Sequence, residues 1–293
     1  MDKKKILITG KGSYIGTSFI NWVKQWPEQY EVEELSVRGE AWKEHDFSQY
    51  KAIIHVAAVV HKKEKPENEQ LYFRVNKDLA ISIAKKAQQD GVGQFLFMSS
   101  MSVYGLEGLI GQDTVIYDYT ECKPTSFYGK SKLAAEEEIL KMDCEEFKIA
   151  IIRAPMIYGY NCPGNYTRLR KIALKSPLFP SIENKRSMIF IDNLSEFIRW
   201  LLLSRKNGIF FPQNKEYIST VELVKLVSSI NNRRLLFSKF FAIPIKLLGN
   251  QFDITKKIFG NLKYDLRISL HDEYNYSLAN LKDSIQKSEI DGA

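Results

Sequence analysis

Tyr128 and Lys132 stand four residues apart in the run Tyr128-Gly129-Lys130-Ser131-Lys132. The spacing predicts a helix start that runs on through Leu133–Leu140, with the phenol and the ammonium on one helix face. A cation beside a phenol favours the phenolate and lowers its pKa from about 10 toward working pH, which makes a general acid/base. Two residues at this spacing are also an ordinary solvated helix face. The two readings separate on whether the rest of the chain supplies a cofactor for the pair.

The elements that must position the pair read as an α/β fold. Over the first 155 residues, short apolar strands at Ile6–Thr9, Glu33–Val37, Ala52–Val56, Phe95–Ser99 and Ile149–Ile152 alternate with helices near Tyr14–Trp26, Leu71–Asp90 and Phe127–Met142. In the second helix Leu71, Val75, Leu79 and Ile83 recur every four residues, predicting a core-facing stripe. This alternation implies right-handed crossovers and a doubly wound parallel sheet, which binds ligands at the carboxyl ends of its strands. Beyond Arg153 a strand at Ser187–Ile191, a helix from Asn193 to about Ser204, a capping box at Ser219-Thr220-Val221-Glu222 and a strand at Arg233–Ser238 are legible. The expectation is a dinucleotide-binding domain over 1–160, with 186–211 crossing back to it, and a smaller α/β lobe over 161–293.

Between the first strand and first helix lies Thr9-Gly10-Lys11-Gly12-Ser13-Tyr14-Ile15-Gly16. Glycines let a backbone turn tightly and approach a pyrophosphate, and the helix start offers N–H groups and a positive dipole end. The spacing is Gly-x-Gly-x-x-x-Gly, so a tight turn with no ligand stays open. At the tip of the second strand an Asp or Glu marks NAD, whereas an Arg accommodates the extra phosphate of NADP. With a strand at Glu33–Val37 no carboxylate sits at the tip and Arg38 follows. That favours NADP, with NAD open.

The chain has 293 residues and a net charge of +7. Residues 161–293 hold 21 Lys and Arg against 12 Asp and Glu, a balance of +9, while residues 1–160 stand at −2. No basic run interleaved with aromatics suggests nucleic acid. The +9 lobe and the segment Phe240-Phe241-Ala242-Ile243-Pro244-Ile245 suit weak association with an anionic membrane surface. Three cysteines, Cys122, Cys144 and Cys162, lack CxxC spacing and indicate neither a disulfide framework nor a zinc site. The start runs straight into a strand rather than a signal peptide, no apolar run approaches a membrane span, and a cytoplasmic location is expected.

The glycine loop, a serine-rich strand end and Tyr-x-x-x-Lys, in that order, resemble the extended short-chain dehydrogenase/reductases: nucleotide-sugar epimerases, dehydratases and reductases. Thr9–Gly16 is similar to that family's cofactor loop, with Ser13 where its middle glycine is usual. Asp46-Phe47 is similar to its adenine-holding pair, His55-Val56-Ala57-Ala58 to its fourth-strand motif, and Asn76 to its helix asparagine. The run Phe97-Met98-Ser99-Ser100-Met101-Ser102-Val103-Tyr104-Gly105 resembles its catalytic serine strand. Arg153-Ala154-Pro155-Met156-Ile157-Tyr158-Gly159 resembles its nicotinamide loop, and Arg186–Asn193 its diphosphate-binding arginine segment. These runs, with Cys162–Tyr166, Asn184–Ser187 and Phe259–Leu262, resemble most the CapN-type enzymes of capsular polysaccharide synthesis.

The resemblance implies a Rossmann fold with Ser100, Tyr128 and Lys132 as catalytic residues. It implies cofactor contacts from Gly10, Gly12, Ser13, Tyr14, Ile15, Gly16, Arg38, Asp46, Phe47, Ala57, Ala58, Asn76, Ser99, Pro155 and Met156. Substrate contacts fall to Ser100, Ser102, Tyr104, Asn165, Arg168 and Arg186, with Arg170 and His61 weaker and His55 structural. No metal is implied. The expected reaction is NADPH-dependent reduction of a UDP-linked 4-keto-6-deoxy-N-acetylhexosamine at C4. UDP-sugar 4-epimerisation with retained NAD is the alternative, and a non-catalytic dinucleotide sensor a remote one. The resemblance also implies a homodimer acting on a UDP-linked amino sugar.

Overall fold

The computed structural model of the chain describes residues 3–60, 64–271 and 274–290. They divide into two units: Met1–Gly105, Glu121–Ala154 and Ser195–Pro212 form the first, and Leu106–Thr120, Pro155–Leu194 and Gln213–Ala293 the second. The return to the first unit begins at Ser195, not near residue 186. Met188–Phe190 instead pairs in parallel with Met156–Tyr158 inside the second unit, and this pairing holds the preceding segment there.

The first unit is built on a six-stranded parallel sheet. Its strands are β1 (Lys4–Thr9), β2 (Tyr30–Leu35), β3 (Ala52–His55), β4 (Gln94–Ser100), Lys148–Ala154 and Gly208–Phe210. Across the sheet the order is Gly208–Phe210, Lys148–Ala154, β4, β3, β1, β2. The chain steps to one side of β1 to make β2 and returns on the other side to make β3. The carboxyl ends of β1 and β3 therefore border a topological switch point, where doubly wound sheets open a crevice. Both faces of a parallel sheet are covered, so its central strands are mostly apolar, whereas the edge strand β2 carries Glu31, Glu33 and Glu34. Leu7, Ile53, Phe95, Phe97, Ile149 and Ile151 are fully buried, packed with Ile83, Ala87, Ala135 and Ile139. Each such large side chain contributes about 1.5–3 kcal/mol by leaving water.

One strand end and one helix matter for the site. β2 stops at Leu35, two residues before the expected end, because its ladder with β1 closes at Thr9↔Leu35. The helix expected over Leu71–Asp90 is compound: α2 (Glu69–Tyr72), a π-helical turn (Phe73–Asp78) and α3 (Leu79–Gln89). The wide turn rotates the buried face, since a π turn holds an extra residue. Tyr72, Asn76, Ala80, Ile83, Ala84 and Ala87 are buried, while Leu71, Val75 and Leu79 are only partly so.

The second unit holds three two-stranded parallel pairs and several helices, among them Thr220–Ile230. The capping box expected at its start does not form: the Ser219 side chain makes no cap bond. Asn184 takes that role instead, its Oδ1 accepting from Thr220 N at 2.9 Å and its Nδ2 donating to Thr220 Oγ1 at 3.0 Å. The strand expected at Arg233–Ser238 is confined to Leu236–Ser238. Among the described residues no helix is long and apolar enough to cross a membrane.

Candidate active site

α1 (Tyr14–Val23) starts at the end of the glycine loop, with Ser13 as N-cap accepting from Gly16 N at 3.1 Å. Gly10 has φ +124°, and a Cβ there would stand 2.8 Å from Ala57 N. The loop thus lies against the end of β3 so closely that only glycine fits. Gly10 N and Lys11 N both donate to Leu35 O, at 3.0 and 3.2 Å. The first-turn N–H groups of α1 and its positive end are therefore presented beside the switch point, and a glycine-walled cradle of this kind fits a dinucleotide pyrophosphate. Ala57 and Ala58 are partly exposed just beyond β3.

One cofactor-side residue escaped the sequence reading. Glu34 Oε1 accepts from Gly12 N at 3.1 Å. With β2 ending at Leu35, Glu34 is the carboxylate at the strand tip, 24 residues after Gly10. The signal was present in Glu33-Glu34, but a strand drawn to Val37 hid it. Arg38 is exposed, three residues past the strand.

Several expected contacts have structural duties. Phe47 is wholly buried in the core, with Lys86 Nζ 5.0 Å from its ring centroid. Asp46 is exposed and accepts from Ser48 N. Asn76 ties the chain after β3 to the helix carrying Tyr128: it accepts from Val59 N at 2.7 Å and donates to Ser131 Oγ at 3.1 Å. His55 is buried between strands, its Nδ1 2.7 Å from Thr9 Oγ1. Burial, with help from Lys132, pushes His55 down to about 3, so the ring is neutral and structural. His61 lies outside the described residues.

The catalytic candidates converge where β4 meets α4 (Phe127–Leu140). Ser126 caps α4 by accepting from Gly129 N, and Glu64 accepts from Phe127 N and Tyr128 N at 3.1 and 3.2 Å. A carboxylate at a helix start suits the dipole. A Cβ on Gly129 would meet Ser102 O at 2.5 Å. Glycine after Tyr128 therefore lets the helix touch the turn after β4. That contact brings Ser100, the last residue of β4, near enough to the Tyr128 phenol to favour its ionisation. Beyond Ser100 the chain winds into a 3-10 turn, Met101–Tyr104, and Ser102 is exposed, 3.1 Å from Ser100 Oγ. Of the two serines, Ser100 is the one that acts on the phenol's ionisation.

The electrostatics differ from expectation. Lys132 was expected to hold Tyr128 acidic. Instead, burial pushes the phenol up to about 12, opposed by Ser100, with Glu136 and Tyr72 adding to the rise. Burial likewise pushes Lys132 down to about 7, against the pull of Glu136. Lys132 Nζ donates to Met98 O at 2.6 Å and sits 4.4 Å from the Phe97 ring centroid. A cation expelled from water loses much of its charge before it can acidify a neighbour.

Behind the pair lies a closed polar set. Glu136 is fully buried one turn after Lys132. Ser99 Oγ donates to its Oε1, and Arg153 Nε and Nη2 donate to its Oε2 at 3.0 and 2.6 Å. Arg153 Nη1 donates to Tyr104 OH at 2.9 Å. Burial works against charge on Arg153, but Glu136 outweighs it and holds the guanidinium protonated. Ser99 and Tyr104, expected as contacts, are therefore buried members of this set. Glu136 was missed because Glu136-Glu137-Glu138 reads as a solvated run; its place four residues after Lys132 was the usable signal.

In the second unit Pro155 is buried and Met156 partly exposed on the strand Met156–Tyr158. Asn165 and Arg168 are exposed on α5 (Asn165–Lys175), and Arg170 donates to Glu289 at 2.7 Å. Arg186 Nη1 donates to Gly260 O at 2.7 Å and Lys256 O at 3.4 Å. Burial pushes Arg186 down to about 10, with Glu107 opposing. Among the described residues no carboxylate pairs with it.

A parallel sheet with a glycine cradle at its switch point defines a Rossmann-type fold suited to a dinucleotide, with a Ser–Tyr–Lys set on the neighbouring strand and helix as its catalytic candidates. The sequence profile of the NAD dependent epimerase/dehydratase family matches residues 6–210, and the chain belongs to that family. It is 28% identical to a UDP-glucose 4-epimerase of Vibrio cholerae over 292 residues, covering 90% of this chain and 88% of that one. It is 27% identical to an N-acetyl-alpha-D-glucosaminyl-diphospho-ditrans,octacis-undecaprenol 4-epimerase of Escherichia coli O157:H7, covering 87% of this chain and 81% of that one. The fold matches that of a UDP-glucuronic acid 4-epimerase from Bacillus cereus in complex with NAD, with TM-score 0.72, 18% identity and 97% of each chain covered.

Proposed function

We propose that the protein is a C4 epimerase of a diphosphate-linked sugar, nucleotide-linked in the first instance, that keeps its NAD through turnover. The observation that carries this reading is Glu34 on Gly12 N–H: a carboxylate at that strand tip suits ribose hydroxyls and repels an added phosphate. The two 4-epimerases at 27–28% identity point the same way.

When bound, the nicotinamide would take the hydride from the sugar carbon and then return it. Tyr128 handles the proton on the C4 oxygen. A phenol near 12 holds its proton at neutral pH and gives it to a developing alkoxide, a far stronger base. The oxidative half-reaction comes first and requires the phenolate to take the proton from the hydroxyl; a positive charge nearby favours that form. Ser100 favours ionisation of the phenol and offers its hydroxyl to the ketone oxygen. Lys132, near 7, is partly charged at neutral pH and able to follow the phenol's charge. Arg186, hydrogen-bonded to no carboxylate among the described residues, is our candidate for the diphosphate.

Reduction of a 4-keto-6-deoxy sugar by NADPH, as in CapN-type enzymes, is the second reading. Exposed Arg38 near the strand tip favours it. Incubating the purified protein with UDP-glucose or UDP-N-acetylglucosamine, without added cofactor, tests the two. Appearance of the C4 epimer, with NAD released on denaturation, is expected. No epimer, together with consumption of NADPH on a 4-keto-6-deoxy sugar, overturns the epimerase reading. Tyr128→Phe should keep the fold and lose about 10²-fold or more in turnover; full activity ends the proton-transfer role.

A further inference from the structure

The second unit carries an apolar face that its own core does not use. It lies on α8, here the helix Ala242–Leu248, and the turns on either side. Ala242 faces inward and is buried, and Ile245 packs by Gly249 with Ile110. The opposite side is bare: Phe240 is 77% exposed and Leu247 75%, with Ile243 at 51%. Positions 240, 243 and 247 follow the three-and-four spacing of one helix face. Phe241, ring to ring with Phe240 at 6.3 Å, extends the face on one side. Phe252 and Ile254, both more than half exposed, extend it on the other. A run of large apolar side chains in water is unfavourable and marks a surface with a partner.

The charge around this face identifies the partner. From Arg233 to Lys257 there are six basic residues and one acidic residue, Asp253. Arg234, Lys239 and Lys246 are exposed and make no ion pair among the described residues. A second copy docking face to face would bring these cations together with little to neutralise them. An anionic bilayer neutralises them with phosphates while its acyl boundary takes the aromatic and aliphatic side chains. We propose that α8 and its flanking turns form a docking surface for an anionic phospholipid bilayer, with the helix lying in the interface plane. Phe240, Ile243 and Leu247 enter the acyl boundary, and Lys239 and Lys246 meet the headgroups. This surface is independent of the reaction assigned above, and its test needs no turnover.

The full-length protein is sedimented with phosphatidylcholine vesicles and with mixed phosphatidylglycerol–phosphatidylcholine vesicles at low salt. Co-sedimentation with the mixed vesicles, weakened by added salt and small on phosphatidylcholine alone, is expected. The double variant Phe240→Ser/Leu247→Ser should bind at least about tenfold more weakly. Lys239→Gln/Lys246→Gln should lose the preference for the anionic lipid. All four side chains are exposed, so both variants should melt with the parent protein. Wild-type protein left in the supernatant with anionic vesicles overturns the proposal. So does a double variant that binds vesicles as well as wild type. So does a wild-type oligomer that ignores vesicles and falls apart in the double variant, since the face is then a self-contact.

Discussion

Arg153 is buried in the first unit and Arg186 partly buried in the second, and the two are held in opposite ways. Arg153, in the first, meets Glu136 through two N–H groups and Tyr104 through a third, and Ser99 completes the carboxylate. Arg186, in the second, donates among the described residues to the carbonyls of Gly260 and Lys256, with Glu107 acting on it at longer range. Burial depresses its pKa, whereas Glu136 holds Arg153 up. A cation with its own anion is finished as a structural element. A cation given only carbonyl dipoles keeps an unspent preference for an anion, and bound phosphate is the anion that geometry favours. Burial of charge is thus not one signal but two, and the presence of a carboxylate decides which.

The largest effect should come from breaking the finished pair. Removing one partner of a buried ion pair leaves the other uncompensated, at about 3–5 kcal/mol. Arg153→Met should therefore lower the melting temperature sharply and expose Glu136 to protonation. Arg153→Met combined with Glu136→Gln should recover part of that loss, because no bare charge remains. Thermal melts of both variants check it. If the single variant melts with wild type, the set is not closed and the contrast with Arg186 collapses.

Lys132 lies between the two cases: buried, next to Glu136 in sequence space by one turn, yet bonded to a carbonyl. Its pKa falls from 10.5 to about 7. Between those values the unfolded chain holds a proton that the folded protein lacks, so this group makes stability rise with pH across the window. At and below pH about 7 the full penalty is present. Lys132→Met removes it. The variant should melt above wild type at neutral pH, with the gap closing as pH climbs toward 10, while turnover is lost. A gap that stays constant with pH contradicts the depressed lysine.

The sequence reached the parallel sheet, the tight glycine turn and the placing of Tyr128 and Lys132 on one helix because these rest on local spacing, whereas Ser100 came from the resemblance alone. Strands of Val, Ile and Phe between turn residues, and Tyr-x-x-x-Lys at a helix start, need no tertiary knowledge. What escaped depends on register or on distant partners. Glu34 was missed through a two-residue error in the end of β2, which only the ladder with β1 fixes. Glu64 at the start of α4 comes from 63 residues away. The π turn at Phe73–Asp78 shifted the buried stripe by one position with no mark in the residue types. The phenol's acidity was misjudged because spacing gives proximity but not burial, and here burial is the larger cause.

Replacing Arg186 by Met should produce the smallest change in stability and the more telling change in binding. Two bonds to carbonyls are lost, about 0.5–1.5 kcal/mol each or somewhat more for a charged donor, while the cost of burying the guanidinium is relieved. The terms oppose, so the melting temperature should move by only a few degrees, far less than in Arg153→Met. A charged hydrogen bond to phosphate contributes about 1.5–3 kcal/mol. KM for the sugar diphosphate should accordingly rise at least about tenfold, with kcat little changed, because a diphosphate remote from C4 is bound alike in the ground and transition states. Arg186→Lys should recover charge but not the planar fork, and so only part of the affinity. A variant that melts as low as Arg153→Met, with KM unmoved, would make Arg186 a second structural cation and leave the diphosphate to another residue.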